Sequence, residues 1–126
     1  MANEVNVALS LRVKNGNADE SFSVSGAQFN QSTQGSVGGI VQIGTAVETI
    51  AFGDVTSAGY AAFRNLSTAT SGTAYIALGA YVGTNLHEFV SLRRGQPAML
   101  PLTANVTLAA KSYGQALPLR YIIFSE

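Results

Sequence analysis

The sequence predicts an all-β chain, folded as a single-domain antiparallel β-sandwich over residues 1-126, and three observations predict it. Apolar residues recur with period two in the segments that can be phased. Turn residues punctuate the chain at intervals of about 8 to 12 residues, marking off about eight to ten strands. No window of eleven or more residues holds the i, i+3, i+4, i+7 apolar stripe of a helix without glycine or a β-branched interruption. With two Greek keys' worth of strands a jelly roll is the first expectation. An immunoglobulin-like sandwich is the alternative, without that fold's cysteine and tryptophan marks, since the chain has neither residue.

The elements follow in order. From Glu4 to Lys14 the residues Val5, Val7, Leu9, Leu11 and Val13 fall on one face, and Asn6, Ala8, Ser10, Arg12 and Lys14 on the other. This pattern predicts a half-buried strand whose apolar face belongs to the core, so that Leu9→Asp would unfold the domain. Asn15-Gly16-Asn17 reverses the chain, because Asn and Gly tolerate positive φ. The return from Asp19 to Asn30 has Phe22 and Val24 in one phase and Phe29 in the other, a slip that predicts a bulge at Gly26. Gln31 to Gly39 is polar and glycine-rich and reads as a loop. Strands follow over Ile40 to Ile43 and Ala46 to Phe52, then over Tyr60 to Leu66, Thr73 to Val82, His87 to Leu92, Pro97 to Leu102, Val106 to Ala110 and Leu117 to Phe124. Ser112-Tyr113-Gly114 reads as the last turn.

Composition constrains the surface. Of 126 residues 47% are apolar, as in any globular chain, yet only 11% are charged and the formal net charge is zero, where about 25% charged is usual. Such a surface is built from Ser, Thr, Asn, Gln, Gly and apolar side chains, and near-zero charge favours association. The composition therefore predicts a chain packed against copies of itself or another protein. Seven basic residues balanced by seven acids leave no electrostatic footprint for nucleic acid. The alternating N-terminus, with Glu4 where a signal peptide carries positive charge, is not read as a targeting segment. No run reaches the roughly 18 to 20 apolar residues of a membrane helix, so the expectation is a soluble protein made in a cytoplasm, with no membrane partner.

The search for chemistry finds no constellation that would name a reaction: no catalytic, cofactor-binding or metal-binding residue is assigned, and no enzymatic activity is expected. A lone His87 cannot build a histidine metal site, and His87 and Glu88, adjacent in a strand, point to opposite faces. The acids Glu4, Asp19, Glu20, Glu48, Asp54, Glu88 and Glu126 are scattered. Gly35 to Gly39 lacks the Lys-Ser/Thr ending of a phosphate loop. Asn30-Gln31-Ser32, Asn65-Leu66-Ser67 and Asn105-Val106-Thr107 match the glycosylation pattern and are read as coincidence in an Asn/Ser/Thr-rich chain. Tyr60, Tyr75, Tyr81, Tyr113 and Tyr121 are read as core or interface aromatics, or else as a sugar-stacking set if several share a face. Arg93-Arg94 before Gly95 is a solvated turn, or a contact to a partner subunit, where Arg is favoured.

Gly59-Tyr60, Phe63-Arg64-Asn65-Leu66, Tyr75-Ile76-Ala77-Leu78-Gly79, Phe89 to Gln96, Leu100-Pro101-Leu102 and Leu117 to Ile123 form a layout that resembles small all-β jelly-roll virion proteins of tailed bacteriophages. The resemblance covers about the last seventy residues and consists of strand and turn grammar. It implies a non-enzymatic capsid cement or decoration protein, a homo-oligomer with a trimer favoured, seated in the virion on a major capsid or other virion protein. A fibre or tail component, or a glycan-binding head domain for host attachment, is the alternative it leaves open. The interface candidates are Arg93 and Arg94, together with Glu4 and Glu126 in the terminal segments that could reach a neighbour.

Overall fold

The computed structural model describes residues 5–31, 35–53, 55, 57–68, 73–103 and 106–125. The described residues form antiparallel strands and no helix. They divide into two compact units, Met1–Thr33 and Gln34–Glu126. The sandwich is built by the strands of the second.

The first unit is a hairpin of β1 (Val5–Asn15) and β2 (Ala18–Phe29), turned through Gly16 at φ 58°. The bulge expected at Gly26 is present. Val7 pairs with Ala27 but Leu9 with Val24, and Gly26 takes φ 73°. Ser25 and Gly26 of β2 are thus set against Ala8 of β1, and this returns Ala27 and Phe29 to the face that holds Phe22 and Val24. One face of the ribbon is therefore apolar from the Val5–Phe29 pair to Val13, where Glu20 stands opposite, while Ser10, Arg12, Lys14, Asp19 and Ser21 occupy the other. There Arg12 donates from Nε and Nη2 to the Asp19 carboxylate, both at 3.1 Å. The predicted burial of the apolar face is corrected. Val7 is buried, but Leu11, Phe22 and Val13 are 64, 62 and 54% exposed. Leu9 is only half-buried and is no part of the hydrophobic core, so the unfolding expected of Leu9→Asp loses its basis.

The described residues of the second unit form eight strands: β3 (Ser36–Ile43), β4 (Glu48–Thr49), β5 (Ala58–Asn65), β6 (Tyr75–Val82), β7 (Asn85–Leu92), β8 (Pro97–Pro101), β9 (Leu108–Tyr113) and β10 (Leu117–Ser125). They form two four-stranded sheets, ordered β3-β10-β5-β8 and β4-β9-β6-β7. Within this unit the first strand pairs with the last, the second with the seventh, the third with the sixth and the fourth with the fifth. That nesting is a long antiparallel ribbon folded over on itself, the order of a jelly roll. The immunoglobulin-like alternative shares the two-sheet architecture but orders its strands differently. Between the sheets Ile43, Phe63, Leu117, Leu119 and Ile123 of one meet Ile76, Leu78, Leu92 and Leu108 of the other, all nearly or fully inaccessible to solvent.

Two boundaries differ from expectation for steric reasons. Ser36 to Gly39, read as loop, is strand: a Cβ on Gly38 would stand 2.7 Å from the Tyr121 carbonyl oxygen of β10, so a bare backbone is what lets the strands meet here. β9 runs through Tyr113, and the turn falls at Gly114 with φ 92°. β4 keeps two ladder residues, after which Ile50 still donates its N–H to Leu108 O at 2.8 Å.

Candidate functional site

Arg93 and Arg94, the central interface candidates, are exposed in the tight connection from β7 to β8, where the chain passes between sheets. Gln96 N donates to Arg93 O at 3.0 Å, Arg93 N donates to Gln96 Oε1 at 2.8 Å, and Gly95 takes φ 75°. This turn is fastened to β5 by Asn65, which is wholly buried. Asn65 Nδ2 donates to Leu92 O at 2.9 Å and its Oδ1 accepts from Ser67 N at 2.8 Å. Its backbone accepts from Gly95 N at 2.9 Å and donates to Gln96 O at 3.1 Å, while Leu66 N reaches Pro118 O at 3.0 Å. Three of the segments singled out in the sequence are therefore interlocked at one place. Sequence reasoning missed this role, since Asn65 had entered only through a glycosylation triplet and as part of the Phe63-Arg64-Asn65-Leu66 segment, neither of which shows what the side chain bonds. A buried amide with both ends engaged is a structural lock. Glu4 and Glu126, and parts of the other two triplets, lie outside the described residues.

The outer face of the β4-β9-β6-β7 sheet gathers the polar aromatic groups. Tyr75 and Tyr113 are cross-strand partners with rings stacked at 4.7 Å. The Arg93 guanidinium lies 5.7 Å from the Tyr75 ring and the Lys111 ammonium 4.7 Å from the Tyr113 ring, so both rings already carry a cation. Tyr113 Oη donates to Glu88 Oε1. That hydrogen bond, then desolvation and the Glu88 charge, push the Tyr113 phenol up to about 12. Gly79 pairs with Glu88 at an irregularity in the β6–β7 register, and its bare backbone lets the two strands approach there: a Cβ would lie 2.0 Å from His87 O. His87 itself is exposed on β7, an edge strand. Among the described residues no three His, Asp or Glu side chains gather where they could hold a metal ion.

The outer face of the β3-β10-β5-β8 sheet is of another kind. Register places Ile122 beside Gly38 and Ala62, with Ala62 beside Met99, and Arg120 beside Ile40 and Arg64. Ile40 is 66% exposed, and Met99 and Phe124 are exposed as well. An antiparallel sheet with one solvated face carries polar residues there. This one carries an apolar belt and two arginines standing opposite each other. The signal was present in Tyr121-Ile122-Ile123-Phe124, where alternation fails because both phases are apolar. A cleft of about 340 Å³ has Phe52, Phe89, Leu100, Leu102 and Val106 in its wall, and among the described residues that line it the Thr103 hydroxyl is the one side-chain polar group. These residues suit an apolar group, and none of them titrates.

Comparison of the chain with models of protein families, with curated proteins and with solved structures gives no match.

Proposed function

We propose that this chain is a non-enzymatic structural protein of a phage virion, a cement or decoration protein that oligomerises, as a trimer in the favoured form, and stabilises a shell through protein–protein contacts. The observation that carries the reading is the apolar outer face of the β3-β10-β5-β8 sheet, exposed on a chain with 11% charged residues and no net charge. A face of this kind marks an interaction surface, and the absence of net repulsion lets copies approach. The exposure of Arg93 and Arg94 in the hydrogen-bonded turn between β7 and β8 supports a part for them in donating to a capsid surface. The purified chain should co-sediment in stoichiometric amount with empty shells of the phage that encodes it. Replacing Arg93 and Arg94 together by Glu should weaken that binding by tenfold or more while thermal stability is kept. Failure of the wild-type chain to bind shells would overturn the reading.

The Tyr75–Tyr113 stack with Lys111 and Glu88 favours a second reading, a glycan-binding head domain. Against it, those rings are engaged with each other and with cations, which leaves less open platform for a sugar. Binding on a glycan array that is lost in Tyr113→Ala would favour it over the first.

A further inference from the structure

The β1–β2 hairpin presents Leu9, Leu11, Val13, Phe22 and Val24 on one face, and two strands by themselves are marginal in water unless such a face is covered. On that same face, opposite Val13, stands the exposed Glu20. The outer face of the β3-β10-β5-β8 sheet is likewise apolar and exposed, and it sets Arg120 directly opposite Arg64. Like charges at opposed positions repel, and a carboxylate between them would reverse the sign. An apolar ribbon with one acid and an apolar sheet with two bases are complementary in both shape class and charge.

We propose that the hairpin of one copy lies with its apolar face on the β3-β10-β5-β8 face of a neighbouring copy, placing Glu20 at Arg120 and Arg64. This deepens the proposed function and rests on its reading that copies associate. A ribbon of eleven residues is about 35 Å long and, at about 10 Å wide, covers roughly 350 Å² on each partner, about 700 Å² in total, so each contact is of the small, weak class and the oligomer depends on every chain making two of them. The occupant is a second copy because both surfaces are present in equal number on every chain. The contact joins two different patches, so it runs head to tail. With a suitable rotation it closes into a ring, which a trimer satisfies.

The chain has no cysteine, so single introduced thiols report on this contact alone. Phe22→Cys and Ile40→Cys variants, each at an exposed position, are mixed and treated with a short bismaleimide. The expected product is the mixed pair, at least fivefold over either self-coupled pair. In parallel, Glu20→Arg should raise the concentration at which the oligomer dissociates by at least tenfold, and combining it with Arg120→Glu should restore most of the loss. Self-coupling of the Phe22→Cys chain, or coupling to neither variant while the wild-type chain is oligomeric by light scattering, overturns the hairpin-on-sheet contact and leaves association standing. A wild-type chain that stays monomeric over a hundredfold concentration range overturns both.

Discussion

At the scale of single residues Asn65 and Tyr113 show how polar groups are held in a chain with few charges. Asn65 is inaccessible to solvent and serves Leu92 O and Ser67 N at once. Asn65→Leu keeps the branched shape in a somewhat larger side chain but strands both partners, and should cost about 2 to 4 kcal/mol. For a domain of this size that corresponds to a fall in Tm of roughly 10 °C by circular dichroism. A fall of under 2 °C would show that the turn holds without the amide. Tyr113 titrates late because its hydroxyl donates to Glu88. Its folded-state value lies above the ordinary 10.0, so the neutral phenol is favoured by folding. The stabilisation is complete below pH 10 and fades as pH rises from 10 through 12. Ultraviolet titration should show a late phase that Tyr113→Phe removes and that Glu88→Gln returns toward the ordinary range. Neither bonding role could be read from the sequence, since each depends on a partner 25 to 27 positions away.

Among the elements, the strands themselves were legible and their surroundings were not. Period two located β1, the Asn-Gly turn and the bulge at Gly26, because these depend on neighbours in the chain. Burial depends on what covers a face. Val5 to Val13 alternate as well as any core strand, yet Leu11 and Val13 are exposed. β10, with apolar residues on both phases, supplies Leu117, Leu119 and Ile123 to the centre of the core. The two strands should therefore respond differently. Leu119→Ala removes a wholly buried side chain and should cost about 2 to 5 kcal/mol. Leu11→Ser, at an exposed site, should change the stability of the dilute chain by no more than about 0.5 kcal/mol. Urea unfolding at low protein concentration distinguishes them, and a large loss for Leu11→Ser would mean that the hairpin face is covered within one chain.

For the whole molecule the low charge sets how the proposed association should respond to conditions. Apolar faces with one or two ion pairs are weakly screened, so raising salt from 0.05 to 0.5 M should change the dissociation constant by less than about tenfold. Cooling should weaken association, because apolar burial is less favourable in the cold. Analytical ultracentrifugation at two salt concentrations and two temperatures tests both. A shift of a hundredfold or more with salt would show that charge, and not apolar contact, holds the copies together.

By itself the sequence determined the all-β class, the run of strands, the hairpin turn and its bulge, and the scarcity of charge. All of these are set by composition or by residues close together along the chain. Tertiary structure alone decided the first-with-last nesting of β3 to β10, the lock at Asn65, and the stack of Tyr75 on Tyr113. It also decided which apolar faces are closed over as core and which are left exposed. Those features depend on which strands lie side by side, and a period-two pattern carries no record of its neighbour across the sheet.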